Sequence, residues 1–254
     1  MSLLRYTALN VKRFFSDFAN LFFTTVLPVV LYLIFGAIQD YGSYEMANGD
    51  VKSYVMIGMA LYGGATATAS YAGVTVVEMK TGWGRQLALT PLSSGQKTLA
   101  QSAELLIRGA IPVAAVLLAG FFTDAEMTPM TWGWTFLITV LMTLPFGLYG
   151  LIVGQLLRTE AAVSIASTAL VLFAFIGNVF TPLTGWLLTI SKFTPMYGAA
   201  FVSRYPLTEG KVLIMEDPWL IDGSLWVALV NVAVWTVTFI IVVLLLDKRQ
   251  KGRA

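Results

Sequence analysis

Long apolar stretches alternate with short polar ones along the whole chain, and this pattern predicts a polytopic helical membrane protein. A run of about 20 apolar residues is the length that crosses a bilayer as a helix. Six predicted spans satisfy this condition: residues 21–38, 54–77, 99–122, 132–157, 161–181 and 225–246. The prediction is therefore an all-α membrane protein with six transmembrane helices, organised as a single domain over residues 1–254.

Two apolar segments do not fit a simple span. Residues 182–197 are interrupted by Pro and Gly and are too short to cross, so they predict a re-entrant or interfacial segment before the last span, followed by an external loop to about residue 223. Residues 1–20 predict an amphipathic helix on the membrane surface. One face is formed at helical spacing by Leu4, Thr7, Val11, Phe14, Phe15 and Phe18, with basic residues elsewhere on the wheel. The same segment also fits a plain cytoplasmic lead-in to the first span.

The second predicted span carries small residues at four-residue spacing, in two adjacent rows: Ala60, Gly64, Thr68, Ala72 and Ala65, Ala69, Gly73. Small residues let helix backbones approach closely in lipid, so this face is expected to contact another helix. Contact within the chain is the favoured interpretation, with a subunit interface or a substrate path as alternatives. In the third predicted span, Glu104 and Arg108 lie one helical turn apart, which predicts a structural ion pair; a direct role for Arg108 in gating or substrate contact is the alternative.

Composition narrows the function. Of the 254 residues, 57% are hydrophobic and 12% are charged, and the chain contains neither Cys nor His. Disulfides, thiolate metal sites and the usual base of a Ser or Cys triad are thereby excluded. An intramembrane enzyme without His or Cys would need a cluster of carboxylates within the spans, and the sequence contains none. We therefore expect no catalytic residues and no metal site. Nothing in the sequence indicates nucleic-acid binding.

Charge position predicts the orientation. With both termini cytoplasmic, twelve Lys and Arg residues fall inside and four outside, in agreement with the positive-inside rule. The outer four are Lys52, Lys192, Arg204 and Lys211. This orientation places residues 78–97 in the cytosol, with the chain as a multi-pass protein of the plasma membrane.

The most informative polar stretch is residues 78–97, EMKTGWGRQLALTPLSSGQK. Its short apolar turn cannot cross a bilayer and is expected at the water boundary. An ordinary solvated loop is one interpretation. The residues Glu78, Gly82, Arg85, Leu87, Leu89 and Thr90-Pro91-Leu92 also resemble the first cytoplasmic loop of ABC-2 type permeases. The order Pro182, Trp186-Leu187 and Phe193-Thr194-Pro195 is similar to the segment before the last span in that family, although Gly185 stands where the family often has Pro.

This resemblance implies a membrane subunit of an ATP-binding cassette exporter. The loop would be a cytoplasmic coupling helix that docks on a separate nucleotide-binding subunit, through Glu78, Gly82, Arg85, Leu87, Leu89 and Pro91. Residues 94–98 (SGQKT) lack the spacing of a Walker A motif, so ATP and Mg²⁺ are expected on the partner and no cofactor on this chain. The expected assembly is two permeases, identical or different, with two ATPase subunits in the lipid bilayer.

The expected substrate is amphiphilic: a drug, an antibiotic or a lipid-like molecule. The predicted spans carry no charges near their centres, and the resemblance implies that spans 2 and 5 face the dimer axis. Residues predicted to line the path are Tyr62, Thr66, Phe173, Phe175 and Asn178. A polysaccharide or glycolipid export permease is an alternative within the same family. An ATP-independent secondary transporter or channel, and a membrane-embedded enzyme or scaffold, are alternatives from other classes.

Overall fold

The protein is mostly helical, with 79% of its residues in helices in a computed structural model that describes residues 17–80, 94–157, 159–214 and 216–251. The described helices are α1 (Phe18–Ala37), α2 (Val51–Lys80), α3 (Ser94–Phe122), α4 (Pro129–Leu156), α5 (Glu160–Thr168), α6 (Leu170–Ile176), α7 (Gly185–Ser191), α8 (Pro195–Thr208) and α9 (Leu225–Lys251). Two small antiparallel hairpins accompany them: β1 (Glu45–Met46) with β2 (Gly49–Asp50), and β3 (Lys211–Leu213) with β4 (Leu220–Asp222).

Four of these helices are long and apolar enough to cross a membrane: Phe18–Ala37, Leu99–Phe122, Pro129–Leu156 and Leu225–Arg249. They correspond to the first, third, fourth and sixth predicted spans. The second predicted span lies in α2, which is 30 residues long but outside this apolar set, because Gly, Ala, Ser and Thr dilute its apolar side chains. The coarse prediction of a helical membrane protein is confirmed.

The fifth predicted span, residues 161–181, is not one continuous helix. It is divided into α5 and α6, and α6 ends at Ile176, five residues before the predicted boundary. The backbone turns away at Gly177, whose N–H bonds to the carbonyl of Phe173, and at Asn178, which has a left-handed φ of 60°. Asn tolerates that conformation better than most residues, so the helix stops where the sequence permits a turn.

One end of the helix bundle, called the hairpin end, is formed by residues 44–50, 123–128, 206–214 and 216–224. Backbone hydrogen bonds join these loops: Asn48 N–H donates to the Leu207 carbonyl at 3.0 Å, and Asp50 N–H to the Glu126 carbonyl at 3.2 Å. At the opposite end, called the Lys80 end, the Lys80 ammonium donates to the carbonyls of Gly154 at 3.3 Å and Gln155 at 3.1 Å. Helices α2 and α4 therefore run parallel, both from the hairpin end to the Lys80 end, with Gly64 beside Thr143 and Gly73 beside Gly154.

Helix α2 is the central element, and nearly every residue from Val51 to Gly73 is buried. Its small residues receive the neighbouring helices at close range. A Cβ on Gly64 would lie 2.5 Å from the Thr143 methyl of α4 and 3.0 Å from the Gly109 carbonyl of α3. A Cβ on Gly73 would lie 2.9 Å from the Gly150 carbonyl of α4. The small-residue rows thus pack within the chain, as the favoured interpretation predicted.

The segment before α9 forms a helical hairpin, α7 and α8, whose turn is held by α9. The Asn231 side-chain amide donates to the carbonyls of Lys192 at 2.7 Å and Thr194 at 3.0 Å, and its oxygen accepts from the Gly198 N–H. Asn231 lies about 9 Å along α9 from its first residue, at 1.5 Å per residue. Side chains of α9 therefore satisfy the irregular backbone of this turn well inside the helix layer.

Candidate functional site

A cavity of about 400 Å³ opens between α1, α2 and α5, in the half of the bundle that contains the Lys80 end. Helix α2 contributes Thr66 and Ser70, and the other walls expose mostly apolar surface, with hydroxyl and amide groups and the carboxylate of Asp17. Residues on those walls include Asn20, Phe23, Thr24, Ser164, Ile165 and Thr168. The volume falls in the range of small-molecule sites, and this mixture of surfaces is typical of them.

Two hydroxyl groups on the α2 wall are buried and unpaired. Thr66 and Ser70 are 1% and 2% exposed, and within the described parts of the chain neither hydroxyl oxygen has a hydrogen-bond partner. The Tyr62 hydroxyl, one turn earlier on the same face, is near enough to Thr66 for a weak interaction, but the two hydroxyls do not meet hydrogen-bond geometry. A buried polar group without a partner costs about 1–3 kcal/mol. The Thr66 and Ser70 oxygens both lie beneath the cavity surface, so a ligand would pair with them only after their side chains turn toward it.

Of the five residues predicted to line a substrate path, Thr66 lies at this cavity. Tyr62 and Phe175 lie elsewhere, on either side of Phe180, with ring centroids 5.0 Å and 4.9 Å from that ring. Phe173 faces Tyr149, with ring centroids 6.5 Å apart.

Asn178, the fifth predicted residue, has a structural position: its side-chain oxygen accepts a hydrogen bond from the Leu183 N–H at 2.8 Å. Thr66 is the member of the five that lines the cavity of about 400 Å³, and the choice of path residues stays a prediction.

Arg204 is an important residue that sequence reasoning missed, because it was counted only as an outer charge. It is 3% exposed, and its guanidinium donates to three backbone carbonyls: Tyr54 at 3.0 Å, Asn178 at 2.8 Å and Val179 at 2.7 Å. It also lies 3.7 Å over the Tyr54 ring. Burial lowers the pKa of Arg204, and the neighbouring Tyr54 opposes that shift. A single cation within the short, otherwise uncharged run 195–208 was the available signal.

Glu104 and Arg108 are buried, at 1% and 8% exposure, and both meet Tyr71 of α2. The Tyr71 hydroxyl donates a short hydrogen bond to the Glu104 carboxylate. The Arg108 guanidinium lies 4.5 Å from the centroid of the Tyr71 ring. The pairing of Glu104 with Arg108 stays a prediction, but Tyr71 is a third member of this cluster that the sequence did not indicate.

The predicted coupling residues fall largely outside the described chain. Glu78 lies in the last turn of α2 and is half-buried, whereas Gly82, Arg85, Leu87, Leu89 and Pro91 belong to residues 81–93, which the structure does not describe. The same holds for residues 1–16 of the predicted amphipathic helix. Within the described ranges, no group of three or more His, Cys, Asp or Glu residues is arranged to hold a metal ion.

Comparison with known proteins adds no relative: no family model matches the chain, and no curated protein matches it significantly.

Proposed function

We propose that this chain is the permease subunit of an ABC exporter, which moves an amphiphilic substrate out of the cell with ATP hydrolysed by a separate nucleotide-binding subunit. The observation that carries the proposal is the cavity with the unpaired Thr66 and Ser70 hydroxyls. The resemblance of residues 78–92 to a coupling loop supports it independently.

The cavity suits an amphiphile because apolar walls bury the hydrocarbon part of a ligand while a few hydroxyls hold its polar atoms. Its position also suits an exporter driven from the cytosol. Ser70 and Thr66 lie about 15–21 Å along α2 from Lys80, at 1.5 Å per residue. The helix that lines the cavity is thus the helix that leads directly into residues 81–93, so movement of that segment would reach the cavity through one rigid element.

Six passes with both termini in the cytosol remain the proposed topology, in the plasma membrane. Two observations support it: α2 is long enough to cross while surrounded by other helices, and the α7–α8 turn is held inside the helix layer by α9. On this proposal the α7–α8 hairpin is the re-entrant segment, and two permeases pair with two ATPase subunits.

A secondary transporter is the second candidate, favoured by one observation. Glu104 and Arg108 are buried in the helix bundle, and buried ionisable groups are common in proton-coupled carriers. Polysaccharide or glycolipid export is the competitor within the ABC-2 family; the mostly apolar cavity favours a lipid-linked over a free sugar substrate.

The deciding experiment is transport of a fluorescent amphiphilic dye by proteoliposomes that contain the chain and an ATPase subunit that co-purifies with it. ATP-dependent extrusion supports the exporter; extrusion without ATP that a protonophore abolishes supports the secondary transporter. Thr66→Val and Ser70→Ala are each expected to raise the dye KM by about threefold to tenfold, the factor that corresponds to the net free energy of one lost hydrogen bond.

Thr135→Val is the matched control, because its hydroxyl is also buried and unpaired among the described residues but lies on α4, outside the cavity. An equal KM for all four proteins would refute the role of the cavity.

A further inference from the structure

The Tyr71, Glu104 and Arg108 cluster joins the two helices that border residues 81–93. Tyr71 lies on α2, nine residues before its end at Lys80, and Glu104 lies on α3, ten residues after its start at Ser94. At 1.5 Å per residue these positions are about 14 Å and 15 Å from the helix ends. The ends of α2 and α3 that border residues 81–93 are called the stems of this cytoplasmic segment. The cluster thus joins the two stems at the same depth.

The chemistry of the cluster makes separation of the stems costly. The phenol O–H donates to a carboxylate, which is a charge-assisted bond and stronger than a neutral one. The Arg108 cation lies over the face of the same ring, so a single side chain of α2 contacts both Glu104 and Arg108 of α3. Moving α2 away would remove this partner from Glu104 and Arg108 while both side chains stay buried. Removing a partner of a buried charge is strongly destabilising.

We infer that Tyr71 is a positioning residue: it locks α2 to α3 so that the two stems of residues 81–93 move as one body. This inference rests on the proposed function for its meaning in transport, because a locked pair of stems transmits the displacement of a docked segment to the cavity wall at Thr66 and Ser70. Without the lock, α2 and α3 respond to that displacement separately, and part of the movement is lost.

The locked stems can be tested without ATP or a partner subunit. The chain has no Cys, so spin labels go specifically to Met79→Cys on α2 and Leu99→Cys on α3, both exposed in the structure. Pulsed electron resonance on the full chain in lipid nanodiscs then gives the distribution of the distance between the stems. Tyr71→Phe removes only the hydroxyl and keeps the ring and its volume, and Glu104→Gln keeps an acceptor oxygen but removes the charge.

Tyr32→Phe is the matched control, since the Tyr32 hydroxyl is within hydrogen-bond distance, 2.7 Å, of the Thr123 hydroxyl, which directly follows α3 at the hairpin end. We expect a single narrow distance distribution in the parent and in Tyr32→Phe. The distribution should broaden or gain a second population in Tyr71→Phe, and broaden less in Glu104→Gln. An unchanged distribution in Tyr71→Phe, or equal broadening in Tyr32→Phe, would overturn the inference.

A second readout connects the lock to transport. In the reconstituted complex, Tyr71→Phe should lower the ratio of dye-stimulated to basal ATP hydrolysis by about tenfold, the effect of losing one buried hydrogen bond to a charged group. Tyr32→Phe should keep the parent ratio. A parent complex whose ATP hydrolysis ignores the dye would contradict the proposed function but leave the distance result standing. A parent-like ratio in Tyr71→Phe, despite broadened distances, would contradict the role in transmission.

Discussion

Arg204 provides the strongest test of the packing at the hairpin end. Its guanidinium ties together three segments: the first turn of α2 through the Tyr54 carbonyl, the break after α6 through the carbonyls of Asn178 and Val179, and its own helix α8. No ion pair of Arg204 occurs among the described residues, so these carbonyls and the Tyr54 ring are its stabilising partners there. Removing the guanidinium should loosen all three segments together.

The expected size of the effect follows from two opposing contributions. Arg204→Met leaves three buried carbonyls without their donor, at about 1–3 kcal/mol each. Against this, burial of the guanidinium costs several kcal/mol, and Met avoids that cost. We expect a net destabilisation of about 3 kcal/mol, which corresponds to a fall in Tm of about 6–12 °C on the scale known for soluble chains of this size. Arg204→Lys should recover only part, because an ammonium lacks the planar fork that reaches three separate carbonyls.

Gly58 allows an independent change at the same place. A Cβ on Gly58 would lie 2.5 Å from the Val179 carbonyl and in collision with the Arg204 guanidinium. Gly58→Ala should therefore lower the Tm although Arg204 is present, and the double variant should lose less than the sum of the single losses, because both act on one contact. Gly133→Ala is the control, as a Cβ there meets nothing within 4 Å.

The measurement is thermal unfolding of detergent-purified protein, followed by tryptophan fluorescence and by the fraction that remains monodisperse. A Tm for Arg204→Met within about 2 °C of the parent, less than 1 kcal/mol, would refute the reasoning. Strict additivity of Gly58→Ala and Arg204→Met would refute the claim that the two positions share one contact.

Three further predictions concern topology, packing and the buried charges. In intact cells, an impermeant thiol reagent should label Lys211→Cys but not Gly95→Cys, and the reverse pattern would contradict the proposed orientation. Gly150→Leu should abolish the close approach of α4 to the α2 backbone and lower protein yield severely, by about 3 kcal/mol or more of stability; a yield equal to the parent would exclude that contact. Glu104→Ala and Arg108→Ala should each reduce yield more than the double variant does, since each single change strands a charge; normal yield with transport lost only without Arg108 would make Arg108 a substrate contact.

Sequence patterns predicted the positions of the long helices that are apolar throughout. The third, fourth and sixth predicted spans, residues 99–122, 132–157 and 225–246, coincide with α3, α4 and α9 to within a few residues at most boundaries. Lipid-facing helices must be apolar over about 20 residues, so composition alone marks them. The sequence also indicated the interruption at residues 182–197, before the last span, because Pro and Gly disfavour a continuous helix whatever surrounds it.

The parts of the site that sequence reasoning missed depend on long-range contacts. Arg204 meets carbonyls 26 and 150 residues away, and a backbone carbonyl carries no sequence signal. The cavity is formed by α1 and α2 together with α5, which begins 80 residues after α2 ends, so residue type alone could not separate Thr66 from the other predicted path residues. Tyr71 was missed for a related reason: a single tyrosine in an apolar run does not indicate a polar cluster unless its contact with Glu104 of α3 is known.

The low hydropathy of α2 is itself informative. A helix at the centre of a bundle contacts other helices rather than lipid, and close backbone approach requires Gly, Ala, Ser and Thr in place of Leu and Phe. Those residues lower the hydropathy of α2 and allow close packing against its neighbours. Gly58 leaves room for Arg204, Gly64 for α3 and Gly73 for α4. One such helix carries the cavity wall, the anchor for Arg204 and the Tyr71 cluster. A change at the Lys80 end of α2 therefore reaches all three through a single helix whose packing leaves little room to bend.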